Sequence, residues 1–378
     1  MFLFHSYPNL SHKINNLRAM SALLIVIYHF FIFFFTAQGL SAMYAVFAPL
    51  DFPHQDFIQI LKDFPFDLGK FAVAEFFLIS GFLVPSLIEK YPTRASFFKN
   101  RFFRLWPIYA IGLVINILFI WGACLYNDLD FVHTMASVIA SFFCVRDFLG
   151  YPFITGIVWT FEIEVKFFLF CLAVYPLIQK PSPRGLAFLK AFLFFAFFYL
   201  ASVFYEDQDT NFYAYQFFRV LSGNLNYFCF LLLGMCFSFY LSKKISQKVF
   251  ISFCLIISLL FLVESYLIFT PAGWLRTLFS FFPALFIFIW YIAKSEPQKS
   301  HDIPYLRTIS EMSYPLYLIH AIPGYIIIYI LYDYGISIPF GIIVACLISY
   351  GFTYVVHRYM EKPIRNKWSR KADTFLKK

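Results

Sequence analysis

The sequence predicts an all-α fold: a polytopic transmembrane helical bundle of about ten spans, with the N- and C-termini cytoplasmic. Three observations carry this. Hydrophobic residues make up 61% of the 378-residue chain and charged residues 13%, against about 45–50% and 25% in soluble domains. The apolar residues gather into runs close to the roughly 20 that a helix needs to cross a bilayer. The basic residues between those runs fall mainly on one side. With a mean hydropathy of +0.71, the chain has too little polar surface to cover a water-facing globule, so lipid is its solvent. Backbone groups in lipid must be satisfied internally, which here means helices. This composition excludes disorder, collagen, coiled coils and nucleic-acid-binding modules. The net charge of +9 follows from membrane sidedness, and no nucleic-acid partner is expected.

The ten stretches run near 17–36, 70–88, 104–125, 157–178, 186–205, 222–241, 249–269, 274–293, 313–333 and 337–357. A shorter apolar piece near 133–145 is too brief to cross and is expected in the interface. No small-x-small site follows the first stretch, which holds Arg18 and His29, so it is not a cleavable signal peptide. Placing the N-terminus inside puts 24 of the 30 Lys and Arg in cytoplasmic segments, Lys190 among them. Lys62, Lys70, Arg146, Arg219 and Arg276 stay outside, and Lys166 lies within a span. Acids do the opposite: Asp51, Asp56, Asp63, Asp67, Asp128, Asp130, Asp147, Glu206, Asp207, Asp209 and Asp333 all fall outside. An even number of spans is consistent with both ends inside. Neither a repeat nor a linker divides the chain, which reads as one membrane-embedded domain over 1–378 with a short basic cytoplasmic tail at 366–378. The largest outer segments, 37–69 and 126–156, are aromatic and acidic, and are placed to cap an outer cavity.

The seven cysteines form no CxxC pair and lack metal-ligand spacing, so no metal is expected. Most read as buried small hydrophobes. Cys124 and Cys144, which flank one loop, are the only two placed to pair.

Ionisable groups at membrane depth cost on the order of 2.5–3.5 kcal/mol each, and so call for a partner, a cavity or a function. Arg18 and His29 are eleven residues apart; at 100° per residue this is within about 20° of three full turns, so both face one way, about 16 Å apart along the axis. Histidine exchanges a proton near neutral pH without large tuning. In the second stretch, Glu75 lies a little over one turn from the outer surface, and Ser80-Gly81 makes a small-residue notch for close helix approach or substrate access. Arg101 and Arg104, at i and i+3, share a helix face. With Lys99 nearby, their guanidinium forks suit a polyphosphate. Glu162, Glu164 and Lys166 share one helix. Glu162 and Lys166 are spaced to pair, while Glu164 points elsewhere and needs its own partner, for which His29 is a candidate. His320 sits about two turns into a late helix beside Tyr314 and Tyr317, and Glu361 reads as a helix-end or ion-pair residue.

Together, Arg18-x10-His29, FFLISGFL (76–83), RFFRLWP (101–107), WTFEIEVKFF (159–168), SYPLYLIH (313–320) and MEKPIR (360–365) resemble the acyltransferase-3 family of integral membrane acyltransferases. The motifs occur in the family's order and cover 15–365. The resemblance implies transfer of an acyl group, most often acetyl, from cytoplasmic acyl-CoA to a carbohydrate hydroxyl of a cell-envelope glycan, by a multi-pass protein of the bacterial inner membrane. By that resemblance His29 matches the essential histidine and Arg18 its partner arginine. Arg101 and Arg104 match the arginines associated with CoA. Glu164 matches the acid after the Trp159 motif, and His320 the histidine of the SY…YLxH motif. An acid found in some members about ten residues after the histidine is missing here, where Gly39 and Leu40 stand; Glu75 or Glu162 is expected to substitute. No esterase-like domain is appended, so a second catalytic activity is not expected.

The expected chemistry follows. Arg101 and Arg104, with Arg18, hold acyl-CoA phosphates at the inner surface, and the arm runs along the Arg18–His29 stripe. His29 acts as general base, oriented by Glu164, or as acyl carrier. Glu75, Trp159, Glu162 and His320 are the expected acceptor contacts. The competing reading from another class is a proton-coupled transporter of a sugar or lipid-linked glycan using His29 and Glu164 as a relay. It lacks the duplication that such proteins often show.

Overall fold

The computed structural model describes residues 9–52, 55–205, 209–294 and 304–367. Glu206, Asp207, Lys299 and the tail residues Arg370, Lys371, Lys377 and Lys378, all used above for sidedness, lie outside the described residues. Helices account for the regular structure among those described, and no strand is present there. In order they are α1 Leu10–Ile27, α2 Gln38–Ala45, α3 Gln55–Asp63, α4 Leu68–Lys90, α5 Arg94–Tyr126, α6 Met135–Phe142, α7 Val158–Ala173, α8 Tyr175–Gln179, α9 Pro183–Tyr205, α10 Phe212–Leu241, α11 Gln247–Ile268, α12 Pro271–Ala293, α13 Pro304–Ile319, α14 Ala321–Asp333 and α15 Ile338–Val356. A π-helical segment, Tyr28–Phe33, prolongs α1, and a second, His357–Glu361, prolongs α15.

Among the described residues, eight helices are long and apolar enough to cross a membrane, or nine if one bent pair is taken as a single span. The remaining expected stretch, 157–178, is divided. Its helix α7 has 16 residues, about 24 Å. The helix breaks at Val174 because Pro176 supplies no amide to the turn before it. The bent pair is α13 and α14, which meet at 64°. Pro323 removes the amide that would bond Ile319 and crowds that carbonyl, so the helix turns at His320. Asn116 Nδ2 donates to the Leu318 carbonyl at 2.9 Å, satisfying a group next to the break.

The centre of the bundle is α4 against α10. Their apolar windows are 72% and 78% buried, whereas those of the other spans are 28–44% buried and face lipid. The two helices cross at glycines: a Cβ on Gly81 would collide with the Leu231 carbonyl, and one on Gly234 with that of Leu78. The Ser80-Gly81 notch thus performs helix packing through Gly81. The piece near 133–145 is too short to cross, as expected, yet α6 does not lie across a helix tip. Trp106 Nε1 donates to the Phe142 carbonyl at 3.2 Å and Tyr109 Oη to that of Ser141 at 2.6 Å, so α6 reaches back to the middle of α5.

One end of the bundle collects the starts of α1, α5 and α13. There Lys13 bonds the Ile292 carbonyl at 3.3 Å and also the Lys294 carbonyl, Asn16 bonds Tyr291 at 3.1 Å, and Lys244 pairs with Glu89. The other end joins Asn127 to Val46 at 2.9 Å and Lys70 to Thr277 at 2.9 Å. All seven cysteines, Cys124 and Cys144 included, are free thiols.

Two charge assignments made from sequence change. Lys190 belongs to no cytoplasmic segment: it is fully buried within α9 and paired with Glu264 of α11. Glu162 and Lys166 do not pair with each other. Arg146 holds Glu162 at 2.6 Å, and Asp147 holds Lys166 at 2.5 Å. The segment after α6 supplies both partners, a tertiary contact that outcompetes the i,i+4 spacing.

Removing one member of a buried pair leaves an uncompensated charge, a loss of about 3–5 kcal/mol, whereas removing both is far milder. Lys190→Met is therefore expected to lower thermal stability sharply in detergent, and Lys190→Met with Glu264→Met to recover most of it. Stability equal to wild type in the single variant would refute the pairing.

Candidate active site

The bundle encloses two adjoining cavities. The first, of about 460 Å³, opens at the end where α1, α5 and α13 begin. Arg18 comes to it from α1, Arg101 and Arg104 from α5, Glu164 from α7, Ser80 from α4, Tyr314 and Tyr317 from α13, and Glu361 and Arg365 from the chain beyond α15. Arg101 is buried and lies 5.1 Å over the Phe168 ring. Its Nη2 donates to Asn100 Oδ1 at 3.4 Å, and its Nε is buried without a hydrogen-bond partner. Arg18 and Arg104 make no hydrogen bond or ion pair with any described residue. Glu164 accepts a hydrogen bond from Ser80 Oγ at 2.8 Å. These three guanidiniums converge on a partly enclosed space that Arg307 and Arg365 also line; its carboxylates, Glu164, Glu311 and Glu361, are fewer than its five arginines, which leaves a net positive field for an anion. Lys99 is exposed and does not line this cavity. Glu361 does line it, and also hydrogen-bonds His357 Nδ1 at 2.6 Å at the helix end.

The second cavity, of about 260 Å³, lies further along α1 and contains His29. Aromatic rings dominate its walls: Tyr28, Phe33, Tyr44, Trp159 and Tyr325. Val73 and Tyr317 line both cavities and form the junction between them. Tyr317 is held there by its hydroxyl, which donates to the Ile157 carbonyl at 2.8 Å and meets Thr160 Oγ1 at 2.6 Å. The turn count placed Arg18 and His29 on one stripe; they open onto these two neighbouring cavities.

His29 stands in the π-helical segment, where Phe34 N–H reaches back five residues to the His29 carbonyl. Such segments often occur at functional sites. Its partner is not Glu164. His29 Nδ1 lies 2.9 Å from Nε2 of His320, at the bend between α13 and α14. His320 Nδ1 faces two backbone carbonyls, Leu316 at 2.8 Å and Tyr317 at 3.1 Å. A carbonyl can only accept, so Nδ1 of His320 carries the proton and its Nε2, in the neutral ring, is the acceptor. His29 must then donate from Nδ1, which leaves the lone pair on its Nε2. Two neutral imidazoles in series thus define the tautomer of the second.

The other residues singled out in the sequence separate. Trp159 lines the His29 cavity. Glu75 and Glu162 line neither cavity. Glu162 is committed to Arg146, and Glu75 is buried at the α4–α10 side with neither carboxylate oxygen bonded. His320 touches His29 rather than a cavity wall. Glu75, Glu162 and His320, expected as acceptor contacts, thus line neither of these two cavities, whereas Trp159 does line the second. Sequence reasoning missed Asp67 and Lys70, the charged residues that line the second cavity. The available signal was Asp67 as a helix cap directly before an apolar run. Among the described residues no cluster suited to a metal ion is found.

This fold defines an integral membrane protein built on a polytopic helical bundle. The chain belongs to the acyltransferase-3 family: the family model, described as an acyltransferase domain, matches residues 11–358. No curated protein and no solved structure matches it. Family membership gives the transporter reading no support.

Val73→Trp would fill the junction between the cavities, and a displacement of about 1 Å in a reacting group can cost on the order of a hundredfold in rate. Acyl transfer is expected to fall by about that factor, with the purified protein still monodisperse. Unimpaired transfer would show that the junction is not on the reaction path.

Proposed function

We propose that this acyltransferase moves an acyl group, acetyl in the first instance, from cytoplasmic acyl-CoA to a hydroxyl of a cell-envelope glycan, from the bacterial inner membrane with both termini in the cytoplasm. The observation that carries the reading is the adjacency of the two cavities: an anion site of Arg18, Arg101 and Arg104 shares the walls Val73 and Tyr317 with a cavity that holds an imidazole with a defined free nitrogen. Acyl-CoA has the matching shape, a polyanionic head and a long thin arm ending in the thioester. The head sits among the guanidiniums and the arm passes the junction. The aromatic walls around His29 suit the C–H face of a sugar ring.

In the direct route, Nε2 of His29 accepts the proton of the acceptor hydroxyl as that oxygen attacks the thioester carbon. The C–S bond then breaks, and the CoA thiolate takes the proton back from the imidazolium. His320 stabilises the charged ring by accepting from Nδ1 throughout. In the covalent route, Nε2 attacks the thioester carbon first, the C–S bond breaks to leave CoA thiolate and an acyl-imidazolium, and the acceptor oxygen then displaces the imidazole from the acyl carbon as its proton passes to the thiolate. Both routes use the same nitrogen. Glu164, held by Ser80 in the arginine cavity, orders the guanidiniums instead of orienting His29.

His29→Ala should lower transfer of labelled acetyl from acetyl-CoA to membrane glycan by about 10²–10⁴-fold, measured in lipid nanodiscs. Normal transfer would eliminate both routes. Arg101→Ala with Arg104→Ala should weaken acetyl-CoA binding, and unchanged affinity would remove the phosphate assignment. His320→Gln, which can still accept from His29 Nδ1 and donate to a carbonyl, should keep much of the rate. His320→Leu should lose about tenfold or more in kcat with acetyl-CoA affinity intact. Equal rates in the two variants would refute the tautomer argument.

A further inference from the structure

We infer that Asp67 and Lys70 bind the acceptor by a hydroxyl next to the one that is acylated, so that the acceptor is recognised as a diol; this rests on the transfer reading above. Among the described residues lining the His29 cavity, Asp67 and Lys70 are the two with permanently charged side-chain types. They are three residues apart at the start of α4 and share a helix face.

Lys70 is fixed from outside the cavity, and Asp67 both from outside and by the Tyr28 hydroxyl of the cavity wall, which donates to its carboxylate. Asp67 caps α4, with Oδ1 accepting from the Lys70 amide at 2.9 Å, and its own amide donates to Ser280 Oγ at 2.8 Å. Lys70 Nζ donates to Thr277 Oγ1 at 2.9 Å and lies 5.5 Å over the Phe269 ring. The helix α12, which carries Thr277 and Ser280, therefore holds an acceptor and a donor side by side at the cavity edge. A hydroxyl both donates and accepts, and matches that pair.

Neither residue is needed to orient His29, which His320 already holds. The acids first considered for the acceptor, Glu75 and Glu162, lie off the cavity. Two glycines shape the wall beside the pair. A Cβ on Gly69 would stand 2.5 Å from the Tyr28 ring, and one on Gly156 2.7 Å from the Tyr44 ring. Both rings lie close against bare backbone, which sets them in the wall beside a ring-shaped acceptor. The reacting hydroxyl goes to His29 Nε2, and its neighbour goes to Asp67 and Lys70.

The test uses the full-length protein in nanodiscs, labelled acetyl-CoA as donor, and methyl gluco-, galacto- and mannopyranoside as acceptors, with cyclohexanol as the alcohol lacking a second hydroxyl. The expected result is transfer to at least one hexoside and little to cyclohexanol. Asp67→Asn keeps a capping side chain. It should lower kcat/KM for the hexoside by about ten- to a hundredfold, the range for losing a charge-assisted hydrogen bond, with acetyl-CoA affinity unchanged. Lys70→Met should act in the same direction. The proposal is overturned if Asp67→Asn transfers as wild type does, if cyclohexanol serves as well as the hexosides, or if the wild type binds acetyl-CoA but acylates no hexoside. Failure of the wild type to bind acetyl-CoA would instead overturn the transfer reading, and the diol proposal with it.

Discussion

A bilayer interior offers no water to a guanidinium or a carboxylate, and the placement of almost every charged side chain in this bundle answers to that fact. Lys190 meets Glu264, Arg146 meets Glu162, and Lys166 meets Asp147, each pair buried or nearly so. Arg18, Arg101 and Arg104 are different. Their charges converge on open space, with the carboxylates of Glu164, Glu311 and Glu361 around it but bonded to none of them. Packing that leaves three cations together has to be compensated elsewhere in free energy, and an anionic ligand is the compensation that the cavity permits.

Broken helices build the rest of the site. A straight α13–α14 helix would carry His320 past His29. Pro323 turns the chain by 64° at His320 instead, and the carbonyls of Leu316 and Tyr317 are left within reach of its ring. Asn116 and Ser349 take up neighbouring backbone groups. The π-helical turn at Tyr28–Phe33 brings His29 to meet it. Two local departures from regular helix, on separate spans, thus create one hydrogen bond that neither could make alone. The central α4–α10 contact, closed by Gly81 and Gly234, keeps α4 close enough to present Val73, Ser80 and Asp67 to the cavities.

Several of these features are visible from residue spacing. A separation of eleven residues puts Arg18 and His29 on one stripe, and one of three puts Arg101 and Arg104 on one face, because helical geometry is nearly constant. The partners of Glu162, Glu164 and Lys166 are not visible in the same way. Local spacing favours a Glu162–Lys166 pair, but Arg146 and Asp147 arrive from a segment that follows α6. Glu164 and His29 were natural partners by depth, yet Ser80 and His320 lie nearer in the folded chain. Such choices depend on which distant segments are neighbours, and a pattern of polar positions along one helix carries no information about that.

The sequence by itself determined the solvent, the helical class, most of the spans and the family, because composition, run length and motif order survive without coordinates. Only the tertiary structure decided that His29 leans on a second histidine, that Asp67 and Lys70 share its cavity, and that Glu75 and Glu162 do not. The physical reason is directional. A hydrogen bond or a cavity wall requires side chains from several helices to point at one place, and that orientation is set by helix crossings, proline breaks and π turns acting together.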